Sequence, residues 1–470
     1  MRLALALCVL SVLSSESLAA EPAAWGTYRG TPQRTGNTDG TAGPEKPAVL
    51  WVVKSTDHFI ASPVPVKDAI YVAGIGAFNR PSAHLFPFAA KTPPVPMWTK
   101  SAPYLKLASV SSPAVAGDLL VFGDGLHQDS GGVLHCVSAT TSKPLWQLVM
   151  PGNLIHLEGA PVVAGGKVFM GGGAAGAFCV ELDKATLDGK DYDLAEIAKM
   201  QTAKWDELNK KYEELKAKKD DFAIPPDDSQ LLKFVPKKVW QKGEGKWHVD
   251  APINASGDTL FVPTSYLDKE KVGERALYAL KAGTGETVWK AELTYNPWGG
   301  ATVAGDLVIV PGSSIGYYYK ELKGAKGDLT AFDSKTGAQK WRKEVPGGVL
   351  GCVAVSDSLV VCTATDGKVR AYKVADGERA WLYDAKTPFF APPAVAGGVV
   401  YAADLGGTVH AIDLKTGNAK WSFALAKEVN APGMVYGGVT VHSGKLVVAT
   451  CNLDGPWANK ETVLVCIGTK

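Results

Sequence analysis

Apolar and polar positions alternate along most of this chain in runs of five or six residues, each closed by a turn signal. The clearest run is Gly407 to Trp421. Val409, Ala411 and Asp413 share one face, Lys415-Thr416-Gly417 supplies a turn, and Trp421 lies on the strand that follows. The same order recurs from Gly327 to Trp341 and from Gly367 to Trp381, so the tryptophans step by forty residues. A second pattern falls between these runs: a Pro or small residue, apolar alternation, Gly-Asp or Gly-Gly, then another apolar strand. It is written at 111–125, 159–173, 250–264, 300–312 and 391–406. Two hairpins make four strands per unit, and a period of about forty residues with four strands predicts a β-propeller blade.

Each residue type in the unit has a physical task. Asp333 and Asp413 can accept turn N–H groups, and Gly337, Gly377 and Gly417 suit positive φ. The tryptophan fills the gap between wedge-shaped blades, and the small Ala331, Ala371 and Ala411 leave room for a neighbouring bulky ring. Docking tryptophans are placed at Trp51, Trp98, Trp146, Trp240, Trp289, Trp341, Trp381 and Trp421. The last unit, 430–468, has three strands and no tryptophan, whereas 47–53 is an orphan strand that carries one. Ring closure by the N-terminal strand solves both and leaves no open edge. The expected fold is all-β, an eight-bladed propeller over 49–470. Seven blades is the alternative, because the first unit is degraded at His84 to Phe88.

One block breaks the period. Within 184–236, Leu194, Ile197, Gln201, Trp205, Leu208, Tyr212 and Leu215 are spaced by three and four. They predict an amphipathic helix inserted in the third blade, which either caps the propeller wall or presents a partner-binding surface.

Composition changes the picture at three points. The start, basic and then apolar to small residues at Ala19-Ala20, reads as a signal peptide over 1–20, which implies export to the periplasm or beyond. Cys8 is poorly placed for lipidation, and no later run is long enough to span a bilayer. A net charge of +2 with mixed signs predicts no nucleic-acid binding, and a monomer is expected. Cys136, Cys179 and Cys466 occupy the slot that Ala331, Ala371 and Ala411 hold in other units, whereas Cys352 and Cys362 stand about a turn and are a possible disulfide.

Propellers bind ligands where each outer strand hands over to the next inner strand. Those segments hold His58, Ser109, His156, Glu158, His248, Asp250, Trp298, Phe389, Phe390 and Asn430. His156, Glu158, His248 and Asp250 come from consecutive blades and are the candidate ligand-binding set at the channel mouth. His84, His127, His135, His410 and His442 show no ligand spacing. No nucleophile elbow, zinc-protease helix or Cys-x-x-Cys pair is present, and no catalytic residue is assigned.

The repeat resembles the tryptophan-docking repeat of pyrroloquinoline-quinone (PQQ) propellers, over 49–183 and 237–470. Trp25-Gly26-Thr27-Tyr28-Arg29-Gly30 is similar to the Trp-x-x-x-Arg-Gly opening before many such rings, so 21–48 is expected to be an arm folded on one face. The resemblance extends to the eight-bladed BamB-like factors of outer-membrane assembly. It implies an exported, non-catalytic scaffold that binds cell-envelope proteins, with no cofactor. The alternative it implies is a PQQ- and calcium-dependent alcohol or sugar dehydrogenase. The adjacent cysteine pair of the alcohol-oxidising branch is missing here.

Overall fold

The computed structural model describes residues 25–90, 92–127 and 129–469; the segment read as a signal peptide lies outside them. Eight antiparallel sheets stand in a ring. Seven run in chain order, at 64–101, 114–149, 162–242, 254–292, 302–345, 354–384 and 394–424. The eighth takes three strands from 440–468 and its outer strand from Ala48–Ser55, which pairs antiparallel with Thr462–Gly468. Val64–Val66 of blade 1 packs beside Thr440–His442 of blade 8, so the ring closes. The degraded first unit is a full four-stranded blade, and eight is the count rather than seven.

The tryptophans dock blade to blade. Trp98, Trp146, Trp240, Trp289, Trp341 and Trp381 each donate the indole N–H to a backbone carbonyl of the next blade, at 2.8–3.0 Å. Trp421 donates at 2.9 Å to Pro44, in the segment leading into the closing strand. The rings of Trp240, Trp289, Trp341 and Trp381 also lie on a turn glycine of the neighbouring blade, Gly285, Gly337, Gly377 and Gly417. A Cβ on Gly337 would come within 2.7 Å of Trp289, so this glycine (φ 72°) is required by contact as well as by conformation. Asp333 and Asp413 accept the turn N–H groups of Thr336 and Thr416. Trp51 is buried opposite Cys466, but its indole N–H has no partner. Its neighbour is blade 1, where the usual turn is lost.

Cys136, Cys179 and Cys466 lie opposite Trp146, Trp240 and Trp51, in the slot held elsewhere by alanine. Cys352 and Cys362 are not joined; among the described residues all six cysteines are buried free thiols. The expected pairing fails by register. Ala354 faces Val361 across the hairpin, which sets Cys362 against Val353 and turns the two thiols to different sides of the sheet.

The inserted helix, Leu194–Ala217, begins at a capping box made by Asp193 and Glu196. Ile197 and Gln201 are buried against the outer wall of blade 2. Gln201 exchanges two hydrogen bonds with the backbone of Leu232, and Lys143 of blade 2 sits over the Trp205 ring. The helix therefore covers the wall, while the chain after it leaves Phe222 and Ile224 83% and 75% exposed.

The arm is a hub. Carbonyls of Trp25, Gly26, Pro32, Gln33, Thr35 and Gly36 accept N–H groups of Val115, Val163, Val303, Val355, Val395 and Val441, the middle residues of six inner strands. Blade 4 reaches Pro32 through the Asn254 side chain, and blade 1 carries Pro65 at that position and has no N–H to give. Arg29 and Arg34 are fully buried, donating to the carbonyls of Pro393 and Val439 and of Pro252, Ile253 and Ala301.

Candidate functional site

Successive strands of a blade reverse direction, so the handover segments and the loops leaving the inner hairpins reach the same end of the ring. At that end the chain divides the channel mouth in two.

Over blades 5 to 8 the mouth is apolar. Leu350, Phe390, Leu405, Met434, Tyr436 and Cys451 are buried together, with Trp298, Tyr317 and Trp457 packed on them. The loop after the inner hairpin of blade 5 crosses this surface. The Tyr317 hydroxyl donates to the Leu350 carbonyl at 2.9 Å, and the Tyr319 N–H donates to Asp454 of blade 8 at 3.1 Å. Tyr436 donates to the other oxygen of Asp454.

Over blades 2 to 4 the mouth is polar. His156 stands in the segment entering blade 3, and His248 and Asp250 in the segment entering blade 4. His156 Nε2 lies 2.9 Å from Asp250 Oδ1, and His248 Nε2 lies 3.0 Å from the same oxygen. The first is a hydrogen bond; the second is misaligned, and both His248 nitrogens are buried without a partner. A third imidazole, His127, comes from the loop leaving the inner hairpin of blade 2, with Nδ1 3.4 Å from Asp250 Oδ2. That contact too is poorly aligned, and Oδ2 lacks a hydrogen-bond partner. One donor atom from each of His127, His156, His248 and Asp250 lies within 4.8 Å of all the others. The edge of Trp298 faces His127, ring centroids 6.3 Å apart.

Electrostatics follow from this packing. Burial works to raise Asp250, but the charges of His248 and His156 and the contacts of His127 and His156 outweigh it and hold the carboxyl well below its usual range. Burial opposes protonation of His156, yet the Asp250 carboxylate prevails and the imidazole rises to about 9. His127 is raised by the Asp250 contact against its burial. Glu158 is half-buried in the segment entering blade 3, and burial lifts its carboxyl to about 7 despite His156. Its carboxylate in turn works to raise His127 and His156, whose charges pull it the other way.

Of the four sequence candidates, His156, His248 and Asp250 thus meet directly, and Glu158 stands behind them. His127 corrects the reading that it belongs with the ordinary histidines. Its loop, 124–132, has no counterpart in the repeat, and the signal that could have found it is the strand alternation that sends this loop to the handover end. The other handover residues serve packing. Ser109 donates to Gly123, His58 accepts the Asn452 N–H, and Phe389 and Phe390 are core. Asn430, at φ 52°, lies in an irregular loop.

Ring, hub and docking tryptophans define an eight-bladed propeller of the PQQ-like class. The chain belongs to the family described as outer membrane protein assembly factor BamB, which it matches over 43–200, 277–427 and 383–458. A BamB of Nitrosomonas eutropha is 31% identical over 152 residues, 32% of each chain. The matched stretch is thus about a third of that relative's length. Subunit 1 of the cytochrome c methanol dehydrogenase of Methylobacterium organophilum is 42% identical over 74 residues, 16% of this chain and 12% of that one. Among solved structures, BamB from Moraxella catarrhalis superposes with a TM-score of 0.58 at 14% identity, over 89% of this chain and 99% of that one. A europium-containing methanol dehydrogenase gives 0.62 at 14% identity, over 96% and 99%. These two share the fold.

Proposed function

We propose that the protein is an exported, non-catalytic scaffold that binds proteins of the cell envelope, in line with the assembly role for which its BamB relatives are named. The observation that carries this reading is the occupation of the axis by the chain itself. The hub fills one side with Arg29 and Arg34, and the aromatic loop of blade 5 fills half of the other. What remains for partners is the loop surface and the exposed end of the insertion at Phe222 and Ile224.

A quinone-dependent dehydrogenase is the second reading, favoured by the methanol dehydrogenase match. The residues at the mouth do not fit its cofactor. Calcium requires six to eight oxygen ligands, and lanthanides are similarly oxygen-seeking. The donors gathered here are three imidazoles and one carboxylate.

Thermal melts with and without PQQ plus calcium separate the readings. Any ligand of the folded state adds about 2.7 kcal/mol at a hundredfold excess over its Kd. No shift is expected, and a rise in the midpoint would overturn the scaffold reading. The positive arm is capture from an envelope extract. Replacing Phe222 and Ile224 with Ser should leave the midpoint unchanged and remove captured proteins, whereas capture that survives places the partner surface elsewhere.

A further inference from the structure

We propose that His127, His156, His248 and Asp250 form a binding site for one divalent late transition ion, of the zinc, cobalt or nickel type, at the polar half of the channel mouth. Four observations converge. The first is the donor set. Imidazole nitrogen suits borderline ions such as Zn2+, whereas magnesium and calcium take oxygen.

The second is spacing. Nitrogen and oxygen ligands about 2.0–2.1 Å from a tetrahedral ion stand roughly 3.3 Å from one another. The contacts found here are 2.9, 3.0 and 3.4 Å around the Asp250 carboxylate, with every donor within 4.8 Å of the rest. An ion at their centre needs small side-chain adjustments and no rebuilding of the loops.

The third is unsatisfied polarity. His248 is wholly buried with neither ring nitrogen partnered, and Asp250 Oδ2 is buried without a hydrogen bond. Such groups are costly unless something else satisfies them. Two other buried Asp–His pairs in the same ring show how the chain builds a purely structural contact. His135 takes Asp124 on one nitrogen at 2.9 Å and Tyr104 and Gln147 on the other. His410 takes Asp404 at 3.0 Å and Tyr383. Each of those carboxylates meets one imidazole, and both ring nitrogens are occupied. Asp250 meets three imidazoles, and one of them is left bare.

The fourth is support. Glu158, two residues beyond His156 in the same segment, adds a carboxylate whose charge acts on both His127 and His156 and so favours a cation among the donors. His127 is also the ligand nearest solvent, with 28% of its side chain exposed, which gives an ion a way in. Binding displaces the proton shared by His156 and Asp250, and ties together loops of blades 2, 3 and 4.

The test uses the untagged full mature chain, stripped with EDTA and dialysed. Cobalt chloride should give saturable visible d–d absorption with one equivalent bound, and zinc chloride should bleach it by displacement; calcium chloride should do neither. His248→Ala should abolish the signal. Should that variant fail to fold, His127→Ala, at the exposed edge, must abolish tight uptake in a chain with an unchanged circular dichroism spectrum. Glu158→Gln should keep the fold and weaken affinity about 10-fold, because it removes the negative charge behind the ligands. A folded chain that takes up no cobalt or zinc stoichiometrically overturns the proposal. So does uptake unaffected by His127→Ala.

Discussion

The two halves of the channel mouth are built on the same repeat and end in opposite chemistry. Over blades 5 to 8, Phe390, Tyr436, Leu350 and Met434 are buried in one another, and their polar atoms are paired, as Tyr317 is with Leu350 and Tyr436 with Asp454. Over blades 2 to 4 the corresponding space is taken by three imidazoles around one carboxylate, with nitrogens left unpaired. The strands below are alike, so the difference lies wholly in loops that the ring holds at one end. The apolar half is arranged for stability. The polar half retains groups that stability alone would disfavour, which is what a binding site costs.

Substitutions can break this contrast, and their effects on unfolding free energy should fall in a fixed order. Phe390→Ala should be the most damaging, about 3–5 kcal/mol, because it opens a cavity in a closed apolar cluster. Urea unfolding measures this, and metal uptake per folded molecule should not change. Tyr317→Phe removes only the hydroxyl that donates to Leu350 and should cost about 1 kcal/mol. A loss several times larger would mean that the blade 5 loop depends on that single bond. His248→Leu should be the smallest, within about 1 kcal/mol of neutral in metal-free protein, since it replaces an unpartnered polar ring with an apolar group. The same variant should bind no cobalt. If it were as destabilising as Phe390→Ala, the two halves would not differ in the way described.

Legibility differed between parts of the molecule for physical reasons. Trp341, Trp381 and Trp421 were readable because blade packing repeats the same steric problem every forty residues. His156, His248 and Asp250 were readable for a related reason, since handover segments recur at fixed places in the period. His127 was not, because 124–132 follows no repeat and its direction depends on contacts with the segment entering blade 3, such as Gly132 with Ile155 and Leu157 with Asp124. Cys352 and Cys362 misled by one position, since a symmetric turn in sequence does not set the register of the hairpin.

The sequence by itself determined the ring: its strand alternation, its docking tryptophans and its closure by the N-terminal strand at 47–53, with the count narrowed to eight or seven. These follow from local periodicity and from the penalty for an open sheet edge. Only the tertiary structure decided what fills the axis. Arg29 and Arg34 find their acceptors in segments that enter inner strands, more than 200 residues away, and His127 meets Asp250 across two blades. Contacts of that separation leave no spacing in the chain, because closing the ring, and not any local rule, brings them together.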